Sequence, residues 1–180
     1  AQWRSDLQRR TSPNGVFGIK CFPTQMRELH QRNPELFGQV MAATLPSSRE
    51  AFAIRLRRRD RAAHAISYAR AALSGVWRKE QEGEEGVRVE FSAKAVEHAR
   101  TLLDQEDAMW NQLFGSAGLQ PLTLWYEEIL EQPAEAVLAV ARFLRVELDP
   151  SAAIAVPNVH KQAEEDPRLW AQLYAAETSA

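Results

Sequence analysis

Arg59 and Ser67 are the residues whose types and spacing most clearly suggest chemistry. They stand eight apart in Leu56-Arg-Arg-Arg-Asp-Arg-Ala-Ala-His-Ala-Ile-Ser-Tyr-Ala-Arg-Ala71, where a short strand pattern runs into a helical one. An anion at that junction would meet a guanidinium, the positive end of a helix, and a hydroxyl leaning back toward the same point. A guanidinium suits phosphate because its donors form a fixed fork, whereas a lysine offers a mobile point charge. The pair therefore reads as a binding site for a phosphorylated small molecule. A plainer reading stands beside it: Arg55, Arg57, Arg58 and Arg59 as solvated surface charge, and Ser67 bonded to its own helix carbonyl. Placement beyond a strand end favours the phosphate reading, because open α/β sheets bind their ligands there.

Other polar groups fit less well. Asp60, His64 and Ser67 fall on one helical ridge at i, i+4 and i+7 and invite comparison with a hydrolase triad. No strained nucleophile turn or oxyanion hole accompanies them, and three side chains leaning the same way make a poor relay. His30, His98 and His160 have no Cys or carboxylate at ligand spacing, so no metal is expected. Tyr126-Glu127-Glu128, just past an apolar run, has two readings: orienting a sugar hydroxyl or an arginine, or forming a buried structural ion pair. Trp77 and Arg78, ending the helix that starts at the strand-to-helix junction, suit a sugar ring, with a core or dimer-contact tryptophan as the alternative.

These groups need a scaffold, and 180 residues with 45% hydrophobic content suffice for one core and a single domain over 1–180. A net charge of −2 argues against holding nucleic acid by bulk electrostatics. No apolar run approaches the roughly 20 residues that span a bilayer, and the single Cys21 fits a reducing, cytoplasmic setting. The run Val16 to Phe22 has the composition of a strand buried on both faces, with Cys21 inside it. Two short helices separated by Asn33-Pro34 follow over about 24–43, then a strand over 51–56 and a helix from Arg61 to about Lys79 with Asp60 as N-cap. Ser92 caps a long amphipathic helix ending near Gly115 or Gly118, 121–126 reads as a third strand, and Pro133 opens another helix. The segment 168–174 is helical again. Strands alternating with helices indicate an α/β protein with a parallel sheet flanked by helices.

Four segments together resemble a known family. They are Pro13-Asn-Gly-Val-Phe-Gly-Ile-Lys20; the Arg59–Ser67 stretch with Ser74-Gly-Val-Trp77; Leu124-Trp-Tyr-Glu-Glu-Ile129 with the Pro133 helix and Phe143-Leu144; and Lys161-Gln-Ala-Glu164. In this order they are similar to sulfotransferases that use 3′-phosphoadenosine-5′-phosphosulfate (PAPS), and most to the bacterial trehalose 2-sulfotransferase type. The resemblance implies a P-loop-nucleotide-hydrolase-like sulfotransferase fold and sulfuryl transfer from PAPS to a hydroxyl of trehalose or a glycolipid. It places Arg59 and Ser67 on the 3′-phosphate of PAPS, and Lys161 and Gln162 in a segment covering the nucleotide; Trp77 and Arg78 remain candidates for the sugar. The implied partners are a nucleotide donor and a sugar acceptor, with a homodimer as one reading of Trp77. The family begins with a strand, a serine- and threonine-containing loop for the phosphosulfate, and a helix with the proposed base. No counterpart of these is found here, so the expected fold lacks its first strand and loop, and the chain alone is expected to be inactive. A non-catalytic nucleotide-binding or assembly module is the alternative. A nucleoside kinase relative would need a Walker-type loop and magnesium ligands that the sequence does not contain.

Overall fold

Capping residues set most of the helix boundaries. A computed structural model of the chain describes residues 5, 9–13, 15–45, 51–77, 89–149, 151–154 and 165–178. Helices α1 (Pro23–Arg32) and α2 (Pro34–Thr44) each begin on a proline, where a missing N–H costs no helical bond. Between them the Asn33 side chain accepts from the Leu36 amide at 3.0 Å. In α3 (Arg61–Ser74) the Asp60 carboxylate accepts from the Ala63 amide at 2.8 Å. Ser92 does the same for α4 (Ala93–Ser116) through Ala95, at 3.2 Å.

The strands β1 (Ile54–Arg57) and β2 (Leu122–Trp125) pair in parallel, Ile54 beside Leu122 and Arg57 beside Trp125. Between them the chain passes through α3 and α4. Alternation along β1 sends Arg55 and Arg57 to one face and Ile54 and Leu56 to the other. After β2 come a short α5 (Tyr126–Glu131), α6 (Pro133–Leu144) and α7 (Glu165–Thr178). Helix α6 packs on β2 and α5, and Phe143 meets Phe52 edge to face at 5.4 Å.

The best-buried region is helical and lies to one side of the sheet. Ala65, Ile66 and Ala69 of α3, Val96, Ala99 and Leu103 of α4, and Trp170 and Tyr174 of α7 form one cluster. Alanines at 65, 69 and 99 let α3 and α4 approach closely, so that Ile66 and Val96 lose all but 2% and 0% of their exposure. Trp170 closes the cluster against Phe91, ring edge to face at 5.3 Å. The Thr24 hydroxyl donates to Glu106 at 3.2 Å and ties α1 to α4.

Three expectations are corrected. Residues 16–22 are not a strand: they have no ladder partner among the described residues, Ile19 and Phe22 are exposed, and Cys21 is half-buried, its thiol pKa raised by burial. An apolar composition supplies side chains for a sheet but no neighbour to bond, and here the run ends by leading into α1. The strand expected over 51–56 forms over Ile54–Arg57 and is not covered on both faces, since Ile54 and Leu56 remain 43% and 61% exposed. Helix α3 stops at Ser74 rather than near Lys79. Gly75 adopts φ 72°, a left-handed cap that favours glycine, and its amide returns to the Ala71 carbonyl at 2.9 Å.

Candidate functional site

The chain leaves β1 at Arg57 and enters α3 at Arg61, and the linking residues carry three charges in a row. Parallel pairing sets this junction beside the end of β2 and the start of α5, which bring Trp125, Tyr126, Glu127 and Glu128. Arg59 lies with its guanidinium 4.5 Å from the Trp125 ring centroid and forms an ion pair with Glu128. Its amide donates to both carboxylate oxygens of Glu127, at 3.1 and 3.2 Å. Arg58 stacks on Tyr126 at 4.1 Å. Burial would raise the Glu127 pKa, but N–H bonds from Glu127, Arg59 and Asp60, with the charge of Arg58, hold it below the usual carboxylate value.

The remaining arginines turn the other way, to α4. Asp107 receives Arg55 at 2.9 Å, Arg57 at 3.2 Å and Arg61 at 2.9 Å. Asn111 accepts from Arg55 at 2.6 Å, and Asp104 pairs with Arg61 at 2.6 Å. Burial again pushes the Asp107 carboxyl up, and the Arg55 hydrogen bond with the charges of Arg61, Arg55 and Arg57 more than reverses it. This network holds β1 and the start of α3 against α4. The plainer reading of Arg55 and Arg57 as solvated charge is therefore corrected: only 10% of the Arg55 side chain is exposed.

Ser67 lies two turns into α3, roughly 9 Å along the axis from Arg61. It is half-buried, and its hydroxyl makes no hydrogen bond among the described residues. His64, one turn earlier on the same ridge, has a buried Nδ1 with no hydrogen-bond partner among the described residues. Burial, then the charges of Arg58 and Arg61, push its pKa down to about 4 against the opposing pull of Asp107 and Glu127. Asp60 is spent on capping Ala63, so the ridge of Asp60, His64 and Ser67 forms no proton relay.

Arg59 thus precedes α3 and Ser67 lies near the middle of that helix, Arg59 with an exposed side chain paired to Glu128 and Ser67 with a hydroxyl that makes no hydrogen bond among the described residues. Trp77 lies past the other end of α3, which is roughly 20 Å long, so the fold separates it from Arg59. It is 54% exposed, and its ring meets Tyr68 edge to face at 5.3 Å. Arg78, Lys161 and Gln162 lie outside the described residues. Beyond Trp125 a hollow of about 300 Å³ opens between α5 and α6, lined by Glu128, Glu131 and Glu135 against one cation, Arg142. Its charge is wrong for a nucleotide phosphate.

A family model described as Stf0 sulphotransferase matches residues 1–177. The chain belongs to this family. It is also similar to a trehalose 2-sulfotransferase of Mycolicibacterium smegmatis, 28% identical over 178 residues, covering 96% of this chain and 66% of that protein. A trehalose 2-sulfotransferase of Mycobacterium tuberculosis is 29% identical over 184 residues, covering 97% of this chain and 67% of its own length. The chain therefore spans about two thirds of the length of these relatives. Family membership carries the α/β sulfotransferase fold, in keeping with the parallel strands and flanking helices. Among the described residues no helix is long and apolar enough to cross a membrane.

Sequence reasoning missed two parts of this site. One is Asp107 with Asp104 and Asn111, whose spacing on α4 marked a polar stripe inside an otherwise amphipathic helix. The other is the Glu127 carboxylate on the backbone of the arginine junction. Of the two readings of Glu127-Glu128, the partner is the arginine of the first: Glu128 pairs with Arg59 in the open, both side chains more than half exposed, and not as a buried ion pair.

Proposed function

We propose that this chain carries the 3′-phosphate-binding part of a PAPS-dependent carbohydrate sulfotransferase, which moves a sulfuryl group from PAPS to a hydroxyl of trehalose or a glycolipid. The observation that carries the reading is Arg59 between β1 and α3 with Ser67 two turns along the same helix, in a chain of the Stf0 family. The relatives that bear the name trehalose 2-sulfotransferase support a sugar acceptor.

PAPS supplies the sulfuryl group, and the residues of this chain act on the other end of the molecule. The Arg59 guanidinium lies over the Trp125 ring at 4.5 Å, which restricts where its donors can reach. Ser67 adds a hydroxyl donor on the α3 side. Contacts to a phosphate distant from the reacting centre contribute affinity and register rather than barrier lowering. They also separate PAPS from an analogue lacking the 3′-phosphate. Lys161 and Gln162 are assigned to cover the nucleotide, and Trp77 with Arg78 to the acceptor side.

Calorimetry with adenosine 3′,5′-bisphosphate tests the site. Arg59→Ala is expected to weaken binding by about 2 to 4 kcal/mol, the loss of a charge-assisted contact, and Ser67→Ala by less. Equal affinity of wild type and Arg59→Ala removes the assignment. Nucleotide binding without turnover of PAPS and a panel of disaccharides and glycolipids, even after the strand, loop and helix with which the family begins are joined upstream, would favour a non-catalytic module.

A further inference from the structure

The face of the Arg59 guanidinium is taken by Trp125, and its edge by Glu128. A stacked guanidinium still offers its in-plane N–H donors, so the edge is where an external anion must bind. In this structure that position holds a carboxylate of the chain itself.

The two glutamates at the start of α5 are bound in different ways. Glu127 accepts the backbone N–H of Arg59 with both carboxylate oxygens, at 3.1 and 3.2 Å, and that of Asp60, so its departure would leave amides at the β1–α3 junction without an acceptor. Among the described residues the Glu128 carboxylate has one partner, the Arg59 side chain, and the pair stands in water with 56% and 60% of the two side chains exposed. Such a pair contributes little to folding and exchanges readily, because each member regains its hydration when it separates. Glu127 is therefore fixed, and Glu128 is free to leave.

We propose that Glu128 is a displaceable internal anion that occupies the edge of Arg59 between ligands and competes with the 3′-phosphate of the nucleotide. The inference rests on the assignment of Arg59 to that phosphate. The donor and the nucleotide left after transfer carry the same 3′-phosphate, so a contact that favours capture also favours retention. Glu128 weakens the grip on both and returns to Arg59 as the spent nucleotide leaves. The exchange is stoichiometric: one Arg59–carboxylate pair breaks as one Arg59–phosphate pair forms.

Titration of adenosine 3′,5′-bisphosphate and adenosine 5′-monophosphate into wild type, Glu128→Gln, Arg59→Ala and the double variant tests this. Glu128→Gln should tighten the bisphosphate about two- to fivefold, the range that freeing one exposed ion pair allows. It should leave the monophosphate unchanged, and its effect should vanish in the Arg59→Ala background. Tightening of both nucleotides, or tightening that persists without Arg59, would reduce Glu128 to general negative charge and overturn the proposal. Unchanged or weaker bisphosphate binding in Glu128→Gln, with Arg59→Ala still impaired, would overturn it while leaving the phosphate site in place. Equal binding by wild type and Arg59→Ala removes the site and this inference together.

Discussion

Arg55, Arg57 and Arg61 face α4, while Arg58 and Arg59 face the end of β2 and the start of α5, and the two sets have opposite characters. The first converges on one carboxylate, Asp107, whose side chain is only 25% exposed, and Arg55 is nearly covered. The second lies on aromatic faces, Arg59 on Trp125 and Arg58 on Tyr126, with carboxylates from α5 alongside. Five cations in seven residues look alike on paper, yet three fasten the strand and helix to α4 and two lie over aromatic rings past the end of β2, Arg58 half-buried and Arg59 exposed. Strand alternation causes the split at Arg55 and Arg57, which share a face, and the departure of the chain from β1 after Arg57 turns the next two away. A basic run is thus a poor unit of functional interpretation; the counter-ion of each member decides.

The largest effect that separates the two sets is expected at Asp107. Asp107→Ala leaves Arg55, Arg57 and Arg61 facing one another without their common carboxylate, and stability should fall by about 2 to 4 kcal/mol in urea unfolding. Nucleotide affinity of the folded remainder should stay near wild type. Glu128→Gln should change stability by less than about 1 kcal/mol, because its ion pair is exposed. Comparable destabilisation by the two would break the distinction.

A smaller effect follows from His64, which lies between the two sets and faces Arg58, Arg61, Asp107 and Glu127. Its folded pKa, about 4, is below the ordinary value of 6.5, so the native state resists protonation that the unfolded chain accepts. Stability is unaffected above pH 6.5 and declines as pH falls from there toward 4. Asp107 acts in a lower window: its depressed pKa means that its contribution is lost only as pH falls below the ordinary 3.8. Urea midpoints measured from pH 7 to pH 3 should therefore fall in two stages, and His64→Gln should remove the first. An unaltered upper stage in that variant would assign it to another group.

Much of the helical scaffold was legible because its signals are local. Asp60, Ser92, Asn33-Pro34 and Pro133 act within one turn of where they stand, and the sequence carries them whole. The strand expected over 16–22 failed for the opposite reason, since a strand is defined by a neighbour that composition does not reveal. Helix α5, at six residues, is too short to show a period. In the candidate site, the positions of Arg59 just before α3 and of Ser67 two turns into it could be read directly, because the Asp60 cap that starts the helix is a local signal. The roles of Asp107 and Glu127 depend on contacts 46 or more residues distant, and nothing in the arginine run announces which carboxylate will reach it.

Trp125 gives the smallest and sharpest test of the second set. Its ring lies 4.5 Å from the Arg59 guanidinium and 5.3 Å from that of Arg57, so it touches one member of each set. Cation–π contacts in exposed settings contribute about 0.5 to 1 kcal/mol each. In Trp125→Leu the β2 side chain stays apolar, and Arg57 keeps its pairing with Asp107, so the first set should hold and stability should drop only slightly. Arg59 loses the ring it lies over and must be ordered by the ligand instead, which should weaken adenosine 3′,5′-bisphosphate by about three- to fivefold on the same energy scale. Trp125→Phe retains an aromatic face and should recover most of that loss. If leucine and phenylalanine behave alike, Trp125 contributes bulk rather than a stacking face, and the orientation of Arg59 must come from the Glu127 clamp on its backbone.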